Sequence, residues 1–191
     1  MTKLWKSLRA KMMSEHGGHK WEIGKWYEVK GEIDMCSVGF HASTRIINAM
    51  QNVPLEFLAQ VEVDGEHLEQ PDKQCWQKMR VVKAWKWEKK DSVVLSIFVA
   101  ELTLANFEKV QPDDKRPRLA IEAARAVLKN DTAKNRSAAR SASESAESAA
   151  RSAARSAARS ASNKIVQKCE DWIQKHIKEL EGVLNGNSAK N

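Results

Sequence analysis

The chain has 191 residues, 32 Lys+Arg against 25 Asp+Glu for a net charge of +7, three cysteines and seven tryptophans. Either one domain or two small ones of this size can bury a core. No apolar run approaches the ~20 residues of a membrane span, the start lacks a signal-peptide core, and Cys36, Cys75 and Cys169 are far apart with no C-x-x-C pair. No membrane-spanning helix is expected, the cysteine usage argues for a reducing compartment over a disulfide framework, and a soluble cytoplasmic protein is expected.

Composition divides the chain. Six of the seven tryptophans precede residue 90, and Lys+Arg against Asp+Glu runs 16 to 15 over residues 1–110 but 16 to 10 over residues 111–191. The expected class is α+β: a small mixed sheet domain over 1–90, then an antiparallel helical bundle over 91–191.

Residues 1–18 are polar and basic and end in Gly17-Gly18, which suits a leader strand or turn. From His19 to Lys30, aromatic and β-branched residues favour strand, broken at Gly24 and closed by Gly31. Ser43 is a candidate N-cap for a short helix carrying Ile46, Ile47 and Met50, which Pro54 stops. Between Phe57 and Asp64, Ala59, Val61 and Val63 alternate with Gln60, Glu62 and Asp64, and Gly65 is the expected turn. Arg80 to Glu88 alternates in the same way, with Trp85 and Trp87 on one face. The tryptophans are expected mainly in the core.

From Asp91 the period changes. Helix and strand compete over Ser92–Phe107; sixteen residues without Gly or Pro favour a buried helix with Val94, Leu95, Phe98, Val99 and Leu102 in one stripe. Pro112-Asp113-Asp114 breaks the chain, and Pro117 suits the first turn of a helix whose stripe is Leu119, Ala120, Ala123, Ala124, Val127 and Leu128. Asn130-Asp131-Thr132 then caps a helix expected over 132–162.

That helix contains the most distinctive stretch of the chain. From Arg136 to Ser162 the unit Arg/Glu-Ser-Ala-x recurs seven times. At about 100° per residue, with one three-residue step at Glu144–Glu147, the charged positions Arg136, Arg140, Glu144, Glu147, Arg151, Arg155 and Arg159 share an arc of roughly 140°. Ala138, Ala142, Ala146, Ala149, Ala150, Ala153, Ala157 and Ala161 take a separate face that a neighbour can approach closely; Trp172 and Ile173 are candidates to fill it. An amphipathic last helix is expected over 164–184, built on Ile165, Val166, Cys169, Trp172, Ile173, His176, Ile177, Leu180 and Leu184, with His176 a core histidine. Gly182 and Gly186 mark its end.

Three resemblances add to this. Trp21-Glu-Ile-Gly-Lys-Trp-Tyr, Cys36-Ser-Val-Gly-Phe-His-Ala-Ser and Leu58-Ala-Gln-Val-Glu-Val resemble a domain of unknown function common in bacteriophage and prophage proteins, over about residues 20–88. Ser43 stands where that family usually has a second cysteine. Asp114-Lys-Arg-Pro-Arg-Leu-Ala-Ile-Glu-Ala-Ala-Arg and the alanine-rich repeats resemble immunity proteins of bacterial polymorphic toxin systems, which implies a helical inhibitor that binds a toxin. More faintly, Gly39-Phe-His-Ala-Ser and the strand after it resemble the strand-helix-strand of ADP-ribosyltransferases, with His41 in place of the usual tyrosine and His16-Gly17 a loose counterpart of its His-Gly.

His16, His19, Cys36 and His41 have zinc-ligand chemistry, but their spacing matches no established finger. No Gly-rich phosphate loop, G-x-S-x-G elbow or H-E-x-x-H occurs. The expectation is a non-enzymatic interaction protein of phage or prophage origin, located in the cytoplasm of a bacterial host cell, with no catalytic residues, metal or cofactor. Arg136, Arg140, Arg151, Arg155 and Arg159 would dock on an acidic protein surface of a bacterial defence component, for example of CRISPR type, or of a toxin. Nucleic acid is the rival partner for this stripe, an ADP-ribosyltransferase-like enzyme the rival function, and a homo-oligomer through the alanine face a further association.

Overall fold

The computed structural model describes residues 3–51, 55–157, 160–180 and 184–185, without the side chains of 147–157, 160–162 and 184–185. Two compact units result: Met1–Trp87 with Trp172–Asn191, and Glu88–Asp171. An antiparallel sheet is followed by a run of helices, the α+β class expected. No helix among the described residues is long and apolar enough to cross a membrane.

The first unit is built on two long strands, β4 (Phe57–Glu69) and β5 (Gln74–Lys86), paired antiparallel. β1 (Lys3–Leu8) pairs with β4. On the other side of β5 lie β2 (Trp26–Glu28), β3 (Phe40–Ala42) and β6 (Leu184–Asn185), each antiparallel to it. Ala59, Val61 and Val63 face inward as their alternation predicts, opposite Ala84, Val81 and Met79, and all six are almost wholly buried. The register skips Val82, a bulge that keeps Val81 and Ala84 on the same face despite their odd spacing.

Gly65 is not the hairpin turn. It lies inside β4 at φ +81°, where the register shifts between Asp64 and His67. The chain reverses at Gln70–Lys73, closed by Gln70 N–H donating to Lys73 O at 2.8 Å. Ser43 is not an N-cap either: it bridges to Trp5 through paired backbone hydrogen bonds, and α1 (Ile46–Ala49) begins two residues after Thr44. A sheet partner for its backbone outcompetes the cap. Pro54 lies outside the described residues.

In the second unit α2 (Lys89–Val110) resolves the helix-or-strand competition in favour of helix. Glu88 and Asp91 form a capping box, with Glu88 N–H donating to Asp91 Oδ2 at 2.7 Å, so the β-branched run starts from a satisfied end. The helix is not the buried one expected. Asp91, Ile97 and Phe107 are buried, while Val94, Leu95, Phe98, Val99 and Leu102 are half-covered. α3 (Arg116–Lys129) carries Pro117 in its first turn, and Asp114 Oδ1 accepts from Arg116 N–H at 3.0 Å.

Arg118 pairs with Glu108 and Arg125 with Glu101. As the number rises on α3 it falls on α2, so the two helices are antiparallel. Ile121, between the two arginines on the same edge, is the buried residue of α3, whereas Leu119 and Leu128 are exposed. The expected stripe was drawn for one neighbour; α3 serves two, packing against both α2 and α4 (Ala133–Ala157).

Candidate functional site

The basic helix α4 starts as its sequence dictates: Thr132 Oγ1 accepts from Asn135 N–H at 3.1 Å, the hydrogen bond of an N-cap. Its half-buried positions among the described side chains are Asn135, Ala139, Ala142 and Ala146, a stripe repeating every three or four residues. Ala138, placed on that face by the helical wheel, is exposed and lies at its edge. The neighbour is α3, itself rich in alanine at Ala120, Ala123 and Ala124. Trp172 and Ile173 belong to the other unit. At Ala139, Ala142 and Ala146, then, the alanine face is used within the chain.

Arg136, Arg140 and Glu144 are exposed on the opposite side. Arg136 is held by Asp131 at 2.6 Å, and Arg140 carries no ion pair among the described residues. Arg151 and Arg155 lie on the same helix, their side chains outside the described set; Arg159 lies outside the described residues.

A second cluster, in the first unit, arises from sheet alternation. Opposite the inward Val61, Ala59 and Phe57 on β4 stand Leu4, Lys6 and Leu8 on β1, so Lys6 has no choice but to enter the core side. Its ammonium donates to His41 O at 2.7 Å and lies 5.5 Å from the Trp21 ring centre. Burial pushes its pKa down to about 8, with the Cys75 sulfur opposing the fall.

His41, on β3 opposite Cys75 on β5, accepts at Nε2 from Cys36 N–H at 3.1 Å. Burial, helped by the charges of Lys6, Lys73 and His16, holds it down to about 4. Cys36 sits at the tip of the turn closed by Asp34 and Val38, in the left-handed region at φ +70°. Lys73 Nζ stands 3.0 Å from its exposed thiol. Cys75 is fully buried, 3.4 Å from Val38 O, and burial raises its pKa. Beside Lys73 opens a surface cleft of about 320 Å³, lined also by Thr44, Glu69, Gln70, Pro71 and Gln74.

Of the four zinc-ligand candidates, Cys36 and His41 are brought together. His19 instead packs among Trp21, Tyr27 and Phe40. Among the described residues no group of three His, Cys, Asp or Glu side chains could hold a metal. His176 stacks on Trp172 at 4.6 Å and meets Trp87 edge-on. The roles of Lys6 and Lys73 were missed, and alternation from Leu4 to Leu8 was the signal that could have placed Lys6.

The fold thus defines a two-part protein, a sheet unit followed by a helical one. Residues 2–91 match the family model of a domain of unknown function, DUF7666. Residues 85–172 match that of the Imm-5 like putative immunity protein. The two matches overlap over residues 85–91, the stretch in which the chain passes from the first unit to the second, after Trp87. No curated protein and no solved structure gives a significant match.

Proposed function

We propose that this chain is a non-enzymatic interaction protein of phage or prophage origin, whose helical unit binds and inhibits a bacterial defence or toxin component. Arg136, Arg140, Arg151, Arg155 and Arg159 supply the docking face, and the partner presents acidic groups to it. The observation that carries this reading is the match of residues 85–172 to immunity proteins over the same span as the helical unit. The exposed Arg140, without an ion pair among the described residues, supports the choice of face. An arginine fork is suited to bidentate carboxylate recognition, so an acidic protein surface is its natural complement.

The test is affinity capture from bacterial lysate with the tagged full chain, with and without nuclease. A protein partner retained after nuclease is expected; recovery of nucleic acid alone would contradict the inhibitor reading and transfer the face to phosphate binding, with its steep salt dependence. The enzyme alternative places catalysis at His41, whose Nε2 is already engaged by Cys36 N–H. Incubation with labelled NAD is therefore expected to give no transfer from wild type or His41→Ala.

A further inference from the structure

The titratable cluster of the sheet unit plays no part in arginine docking, yet it brings two thiols to one turn. Asp34 and Val38 close the turn with hydrogen bonds in both directions, each 2.8 Å, and Cys36 is its tip. Beneath it lies the Cys75 sulfur, 3.4 Å from Val38 O and 4.0 Å from Asp34 O, the two carbonyls at the turn's base. The approach is possible because residue 39 is glycine: a Cβ there would overlap the Cys75 sulfur. His41, which receives the Cys36 N–H, is the direct cross-strand partner of Cys75. Lys73, two residues before Cys75, reaches over to the Cys36 thiol.

The two sulfurs differ as an attacking and a resolving thiol must. Cys36 is exposed to an incoming oxidant, with the Lys73 ammonium 3.0 Å from its sulfur; Cys75 is buried beneath the turn, and burial raises its pKa. We propose that Cys36 and Cys75 form a reversible disulfide on exposure to hydrogen peroxide, making the Asp34–Val38 turn a redox-sensitive element of the sheet unit. The Cys36 thiolate attacks one peroxide oxygen, the O–O bond breaks, and the leaving oxygen departs as water after taking up a proton. Cys36 is then a sulfenic acid. The Cys75 sulfur attacks it, the S–O bond breaks, and a second water leaves with the Cys75 proton. Two thiols lose two electrons and two protons, and the peroxide is reduced to two waters. For the bridge to close, the Cys36 side chain turns from Lys73 toward β5.

Cys169, in the helical unit, is the internal control. The reduced full chain is treated with hydrogen peroxide, quenched with an alkylating reagent, and analysed by intact mass and non-reduced peptide mapping. The expected result is a fall from three alkylatable thiols to one, a loss of two hydrogens in mass, and a Cys36 peptide linked to the Cys75 peptide, all reversed by dithiothreitol. In Cys75→Ser the reaction is expected to stop at a Cys36 sulfenic acid that dimedone captures. Lys73→Met is expected to slow thiol loss by about 3- to 10-fold while the same bridge forms; an unchanged rate overturns the part assigned to Lys73. Three thiols persisting in the wild type, oxygen added at Cys36 with Cys75 still alkylatable, or Cys36-linked dimers would overturn the proposal.

Discussion

The two units bury different things. The large side chains exposed by less than 2% (Leu4, Leu8, Ile46, Leu58, Met79, Ile173, Val61, Val81 and Cys75) all lie in the sheet unit. In the helical unit the best-buried apolar side chains are Ile97, Phe107, Ile121 and Cys169, at 4 to 9%. One unit gains its stability from interlocked bulk, the other from small residues in close approach plus ion pairs at the rim. The sheet unit buries Lys6 and Cys75 of its titratable cluster and leaves Cys36 at the surface. All seven tryptophans belong to the sheet unit, so indole fluorescence reports that unit, and helical circular dichroism mainly the other.

This division can be broken one unit at a time. The largest effect is expected at Met79, fully buried on β5. Met79→Ala should cost about 3 kcal/mol in chemical denaturation followed by fluorescence, with the helical transition retained. Joint collapse of both signals would mean that the units melt as one. Ala142→Leu should act on the other transition: at a half-buried place on the face α4 turns to α3, a larger chain should push the helices apart at a cost of about 2 kcal/mol. Ala138→Leu, on the exposed edge of the same helix, is the control and should cost less than about 0.5 kcal/mol.

A smaller effect is expected from His41. Its folded pKa of about 4 lies below the ordinary 6.5, so over that interval the folded form holds fewer protons than the unfolded one. The contribution to stability is complete above pH 6.5 and is lost as pH falls toward 4. Allowing for solvent screening, the fluorescence transition should lose roughly 1–2 kcal/mol on acidification. His41→Gln, which keeps an acceptor for Cys36 N–H, should flatten that slope. The smallest effect is expected at the rim: Glu101→Gln, which frees exposed Arg125, should cost less than about 1 kcal/mol in the helical transition and less still in high salt.

Local rules made much of this legible. Ala59, Val61 and Val63 alternate in a strand buried on that face; Pro117 and Thr132 mark helix starts; sixteen residues without Gly or Pro made Ser92–Phe107 a helix. What escaped depends on partners distant in sequence. Ser43 has the chemistry of a cap but is taken by Trp5, and Gly65 has the chemistry of a turn but accommodates a bulge against Gln77. Ile121 was overlooked because only the Arg118 and Arg125 pairings identify α2 as a second neighbour. The exposure of Arg136, Arg140 and Glu144 on α4 was readable because a repeat needs no tertiary partner. The Cys36–Lys73 contact was not, since sheet pairing brings those residues together across 37 positions.

The most direct test of the docking face is charge reversal. Affinity capture after nuclease treatment is run with the wild type beside a variant carrying Arg151→Glu, Arg155→Glu and Arg159→Glu, after circular dichroism has established equal helix content. The protein partner should be lost from the variant. Equal recovery would contradict the assignment of these arginines to the docking face.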